Sequence, residues 1–248
     1  MSEAEFSGQV AVVTGGAQGL GFAVSTLLAK RGASVAILDL DADRLSAAAA
    51  QLSRGGAIAR GYAVDVADEP AVLRARDAII GEFGRVDVLV NNAGWFPFTD
   101  VRAITLPEWQ RVFDVNAKSV FIVTRAFMDG MIARRYGRVV NIASSGAYVA
   151  NLTLPHYAAA KAAVLNLTKT FALELAPHEV LVNGVSPGNI ATDRQKDQRW
   201  LVERLPIIPV HRAARPEDIA EVVVFLASRR NRFIVGETII ADGGMRMY

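Results

Sequence analysis

The chain has 248 residues, 52% hydrophobic and 21% charged, enough to bury one substantial core, so a single domain over residues 1–248 is expected. It has no cysteine and three histidines (His156, His178 and His211) in no ligand-like spacing, which excludes disulfides and thiolate chemistry and argues against any metal site. The net charge of +2 comes from 27 basic and 25 acidic residues scattered along the chain, and no apolar run nears the ~18 residues of a membrane span, so neither a nucleic-acid partner nor a membrane is expected.

The first residues, MSEAEF, have neither a basic start nor an apolar stretch of signal-peptide length, and cytoplasmic residence is the expectation. Beyond them, short β-branched runs alternate with helical patterns. Strands are predicted at 9–13, 34–38, 57–64, 86–90, 138–142, 180–185 and 238–241, and helices at 21–30, 42–52, 70–83, 106–134, 155–175 and 216–227. Strict alternation implies a doubly wound, Rossmann-type α/β fold: a parallel seven-stranded sheet with helices on both faces. Near-continuous apolar strands such as VAVV and VDVLV agree, because both of their faces would be covered. Ligands of such sheets sit at the carboxyl ends of the strands.

After the first strand, TGGAQGLG (14–21) opens directly into a helix. Glycines there let the backbone turn tightly and approach a pyrophosphate, which the amides at the helix start receive, and Gly15, Gln18, Gly19, Leu20 and Gly21 are the candidate contacts. The second strand ends in ILDL, placing Asp39, with Leu40 beside it, 18 positions beyond Gly21. That is close to the ~20 expected of an acid that hydrogen-bonds an adenosine ribose. A carboxylate repels a 2′-phosphate and no cation stands in the glycine turn, so NAD is favoured over NADP. Asp39 could instead cap the following helix, though Asp41 would serve equally well.

Farther along come Asp65 and Val66 after the third strand, NNAG (91–94) after the fourth, Ser144 after the fifth, and HYAAAK (156–161) at the start of a helix. Tyr157 and Lys161 are four positions apart, so on a helix they share a face with only alanines between them. Pro187, Gly188, Asn189, Ile190, Ala191 and Thr192 follow the sixth strand, and the segment 187–216 is long for a loop and reads as a lid.

Taken together, TGGAQGLG, NNAG, Ser144 and YAAAK resemble the short-chain dehydrogenase/reductase family over nearly the whole chain. The resemblance implies a catalytic tetrad of Asn116, Ser144, Tyr157 and Lys161, with Ser144 lying 13 residues before the tyrosine. It assigns Asp65 and Val66 to the adenine, Asn92, Ala93 and Gly94 to the cofactor wall with Pro187 and Gly188, and Ile190 and Thr192 to the nicotinamide carboxamide. Tyr157 would be the acid/base and Ser144 would hydrogen-bond the substrate oxygen. Asn116 would order a water that returns the proton. Lys161 would lower the phenol's pKa by about three units, which an ammonium at ~4 Å supplies at an effective dielectric of about 20.

Trp95, Phe96, Phe98, Tyr148, Val149, Leu152 and the lid's Trp200 are the candidate substrate contacts, with Leu205 near them, and they imply an apolar or ring-bearing alcohol or ketone. His156 is expected at the pocket rim or helix start rather than in the chemistry. Arg194, Lys196 and Arg199, interleaved with Asp193 and Asp197, read as a solvated face more than as an anion site. Two rivals stand beside an NAD-dependent dehydrogenase: an NADPH-dependent 3-oxoacyl-(acyl-carrier-protein) reductase, and a catalytically silent NAD-binding module. By resemblance, the helices at 106–134 and 155–175 would build a homotetramer, although Val120, Phe121, Val164 and Phe171 could equally be internal.

Overall fold

The structure, a computed structural model, describes residues 5–193 and 198–246. Its centre is one parallel sheet of β1 (Val10–Thr14), β2 (Ser34–Asp39), β3 (Ala59–Ala63), β4 (Val88–Asn91), β5 (Gly137–Ile142), β6 (Val180–Pro187) and β7 (Thr238–Ala241). The order β3-β2-β1-β4-β5-β6-β7 means that the chain winds outward from β1 on one side and restarts at β4 on the other. A crevice opens at the carboxyl ends of the strands where the winding reverses, between β1 and β4. Register is fixed by Val12, which lies level with Ala36 of β2 and Leu89 of β4.

The helices are α1 (Gly19–Lys30), α2 (Ala42–Arg54), α3 (Glu69–Phe83), α4 (Leu106–Phe113), α5 (Ser119–Ala133), α6 (Pro155–Leu175), α7 (Arg199–Arg204) and α8 (Pro216–Ala227). Strand residues divide between two apolar layers by parity. Ala11 and Val13 pack with Val24, Leu45 and Val223 from α1, α2 and α8, whereas Val10 and Val12 pack with Ile79, Phe127 and Leu175 from α3, α5 and α6. Both faces are therefore buried, which is why the central strands are apolar without alternation.

Two expectations are corrected. The helix predicted over 106–134 is broken by a π-helical turn at Asp114–Lys118, which buries Val115, Asn116 and Ala117 together. The 187–216 segment is not a plain loop. It carries α7 and a 3₁₀ turn at Leu205–Ile207, buries Leu201 and Ile208, and is tied to the body by a bridge between Ile190 and Ala214. Arg194, Lys196 and Asp197 lie outside the described residues. Of the helix residues considered for subunit contacts, Val120, Val164 and Phe171 are internal core, and Phe121 is half-exposed against Phe171. Among the described residues no helix is long and apolar enough to cross a membrane.

Candidate active site

The glycine turn between β1 and α1 is stitched to the end of β4. Thr14 Oγ1 accepts from the backbone amides of Asn92 and Ala93 at 2.9 and 3.0 Å, and Asn92 Nδ2 donates to the Thr14 and Gly15 carbonyls. Gly15 has φ +61°, a left-handed conformation that favours glycine. The first turn of α1 contains no acidic residue, so nothing there opposes a phosphate.

At the end of β2, Asp39 accepts from Leu40 N at 2.8 Å and from Ala17 N at 3.3 Å, facing back into the glycine turn. Asp41, not Asp39, caps α2 by accepting from Arg44 N. Sequence reasoning missed Arg44, whose guanidinium reaches Gln18 Oε1 at 2.6 Å and pairs with Asp41, putting a cation beside the glycine turn. It also missed Arg111 on α4, which pairs with Asp65 at 3.0 Å. Neither stands within a recognised motif, and only the folding of α2 and α4 over the strand ends brings them there.

A cleft of about 1170 Å³ runs along the strand ends. It gathers Gly15, Gln18, Gly19, Leu20, Gly21, Asp39, Leu40, Asp65 and Val66 at one end, and Asn92, Ala93, Gly94, Pro187, Gly188, Ile190 and Thr192 along its wall. Ser144, Tyr157 and Lys161 open into the same space with Trp95, Phe96, Phe98, Val149, Leu152 and Trp200, and with Arg204, Met245 and Arg246, the last three not among the predicted contacts. Tyr148 is not part of the wall. It is partly exposed, and its hydroxyl lies 3.5 Å from Ser186 Oγ. Leu205 is outside it too.

Asn116 is fully buried behind the wall rather than on it. Its Nδ2 donates to the Trp95 carbonyl at 2.6 Å and the Val112 carbonyl at 2.9 Å, and its Oδ1 accepts from Trp95 N at 3.2 Å. Both amide protons are thus spent on backbone carbonyls, leaving the side chain no donor with which to order a water. His156 stands at the start of α6, one of its two expected places, and is fully buried rather than on the pocket rim. Its Nε2 lies 3.1 Å from Glu108 Oε1 and its ring stacks on Trp109.

Lys161 is 3% exposed; its ammonium donates to the Ile142 carbonyl at 2.7 Å and lies 5.7 Å from the centroid of the Tyr157 ring. Burial pushes the Tyr157 phenol up to about 12, against a smaller downward pull from its hydrogen bond with Ser144, and pushes the Lys161 ammonium down to about 8. Burial outweighs that hydrogen bond, so the protein's own groups hold the phenol above its ordinary value.

The residues present fit a dinucleotide. A Cβ on Gly21 would collide with Gly15, so the turn stays flat against the helix start, and a carboxylate waits at the end of β2. The family model described as Enoyl-(Acyl carrier protein) reductase matches residues 15–246. The chain is 35% identical to 2-(S)-hydroxypropyl-CoM dehydrogenase 3 of Xanthobacter autotrophicus, with 96% of each chain covered. It is 37% identical to a cyclopentanol dehydrogenase of Comamonas sp. over 95% of this chain and 96% of that one. It is 38% identical to a 3-oxoacyl-(acyl-carrier-protein) reductase of Vibrio cholerae, covering 97% and 98%. A short-chain type dehydrogenase/reductase from Mycobacterium marinum superposes with a TM-score of 0.94 at 33% identity, covering 99% of this chain and 98% of that one. With strand order, cleft and full-length similarity in agreement, the chain belongs to the short-chain dehydrogenase/reductase family, oxidoreductases that act on CH–OH groups with a nicotinamide dinucleotide.

Proposed function

We propose that the protein is an NAD-dependent dehydrogenase of secondary alcohols, reversible as a ketone reductase, that takes an apolar, ring-bearing substrate. The observation that carries this reading is the opening of Tyr157, Ser144 and Lys161 into the same cleft as the glycine turn and Asp39. NAD, when bound, would supply the hydride acceptor and a positive ring charge that favours the ionised tyrosine.

Tyr157 takes the hydroxyl proton of the alcohol as the hydride leaves its carbon, and returns it in the reverse direction. Ser144 donates to the substrate oxygen and so favours the charge developing there. Lys161 keeps two donors beyond the one given to Ile142, free for ribose hydroxyls. Asn116 is a positioning residue, holding both backbone groups of Trp95 and with them the start of the aromatic wall. That wall of Trp95, Phe96, Phe98 and Trp200 supports the ring-bearing substrate, as does the resemblance to a cyclopentanol dehydrogenase. Asp39 supports NAD.

The test is formation of reduced nicotinamide with a panel of secondary alcohols and each dinucleotide. No hydride transfer with any of them would leave a silent binding module. A second reading, NADPH-dependent 3-oxoacyl reduction, draws on Arg44 beside the glycine turn and on the relative from Vibrio cholerae; faster turnover of a 3-oxoacyl thioester with NADPH would select it. The working unit we propose is a homotetramer in the cytoplasm. Leu106 and Leu173, 84% and 80% exposed on α4 and α6, supply the apolar surface such an assembly would cover, and sedimentation tests it.

A further inference from the structure

The cleft is not purely apolar. Arg246 lines it, half-buried, and its guanidinium has no carboxylate within 4 Å among the described residues. Among the described residues its buried Nε meets no acceptor, and its only hydrogen bond is a long one, 3.5 Å, from Nη1 to the Met245 carbonyl next to it in the chain. A buried cationic donor left unsatisfied is costly, and a guanidinium presents Nε and Nη as a fork that matches two oxygens of an anion. Its place is fixed: Met245 Sδ lies 3.9 Å from Asn189 Nδ2, and Asn189 follows the Pro187–Gly188 wall.

In the same cleft, a row of rings leads away from the Tyr157 phenol. Phe96 lies 5.6 Å from Tyr157, Phe98 lies 6.4 Å from Phe96, and Trp200 lies 5.4 Å from Phe98. One helical turn beyond Trp200 on α7, Arg204 also lines the cleft, and it too has no ion pair among the described residues.

We propose, resting on the dehydrogenase reading above, that the substrate carries an anionic group, a carboxylate, sulfonate or phosphate, at the end away from its carbinol, and that Arg246 receives it as a two-pronged donor with Arg204 adding positive potential. The aromatic track takes the apolar body, and the anion completes the orphaned Nε.

The probes are 4-(1-hydroxyethyl)benzoate and 5-hydroxyhexanoate, each with its methyl ester, oxidised with NAD by the full-length protein and by Arg246→Met, Arg246→Lys and Arg204→Met. The expected result is a preference for at least one acid over its ester in kcat/KM. Arg246→Met should reduce that preference about tenfold or more, with partial retention in Arg246→Lys and a smaller loss in Arg204→Met. An acid-to-ester ratio that Arg246→Met leaves unchanged overturns the proposal, as does failure to oxidise either acid while neutral secondary alcohols react. A matching tenfold loss of NADH affinity in Arg246→Met also overturns it, because the guanidinium would then serve the cofactor phosphates. Absence of reduced nicotinamide with every alcohol would instead sink the dehydrogenase reading itself.

Discussion

Gly21 stands against Gly15 so closely that a Cβ on Gly21 would lie 2.1 Å from the Gly15 carbonyl oxygen and 2.5 Å from Asn92 Nδ2. The obstructing oxygen is backbone and cannot swing aside. Gly21→Ala should therefore push the glycine turn away from the start of α1, at an overpacking cost of about 1–3 kcal/mol. The expected outcome is a melting temperature lower by several degrees and NADH binding weakened tenfold or more, read by thermal denaturation and fluorescence titration. Wild-type affinity in the variant would mean that the turn does not shape the dinucleotide site.

Asp39 holds the turn through Ala17 N, and Arg44 reaches Gln18 of the same turn. Removing the carboxylate takes away a repulsion from any 2′-phosphate while leaving the guanidinium in place. Asp39→Ser should move the NAD-to-NADP ratio of kcat/KM toward NADP by at least about tenfold. Steady-state kinetics with both dinucleotides decides it. An unaltered ratio would reduce Asp39 to a turn-holding residue.

Tyr157→Phe keeps the ring that packs against Phe96 and removes only the hydroxyl. Loss of a positioned acid/base costs roughly 10²–10⁴ in rate, so turnover should fall at least a hundredfold while NADH affinity stays the same. Activity within tenfold of wild type would place the proton transfer elsewhere. For the intact enzyme, burial holds the phenol high, so alcohol oxidation, which needs the ionised form, should speed up as pH rises, and ketone reduction should slow.

The motif-bearing part of the site was legible in the sequence because glycines, Asp39 and the Tyr157–Lys161 pair lie at the carboxyl ends of strands whose apolar runs mark them plainly. What escaped is of another kind. The π-helical turn at Asp114–Lys118 leaves the apolar pattern of the surrounding helix intact, so no periodicity signals that Asn116 turns inward onto Trp95. Arg44, Arg111 and Arg246 are ordinary surface-type cations until α2, α4 and the chain's last residues fold over the strand ends. His156 looked like a rim residue because helical angle alone turns it from Tyr157, yet Trp109 and Glu108 on α4 enclose it. Such packing depends on residues nearly fifty positions away.

Lys161 offers a sign that a purely structural lysine would not give. Burial lowers its pKa from 10.5 to about 8. Below pH 8 both folded and unfolded chains carry the proton, so the folded state bears the whole burial cost, about 3 kcal/mol. Between pH 8 and 10.5 the folded chain sheds the proton first and the cost shrinks, and above 10.5 it is gone. Lys161→Met removes that cost but leaves the Ile142 carbonyl without its donor, a loss of about 1 kcal/mol. The variant should therefore be about 2 kcal/mol more stable than wild type at pH 7, with the advantage fading and reversing toward pH 10.5, while its turnover is largely lost. Denaturant titration at pH 7 and pH 10 measures both ends. A variant less stable at pH 7 would mean that the ammonium is a net structural anchor through Ile142.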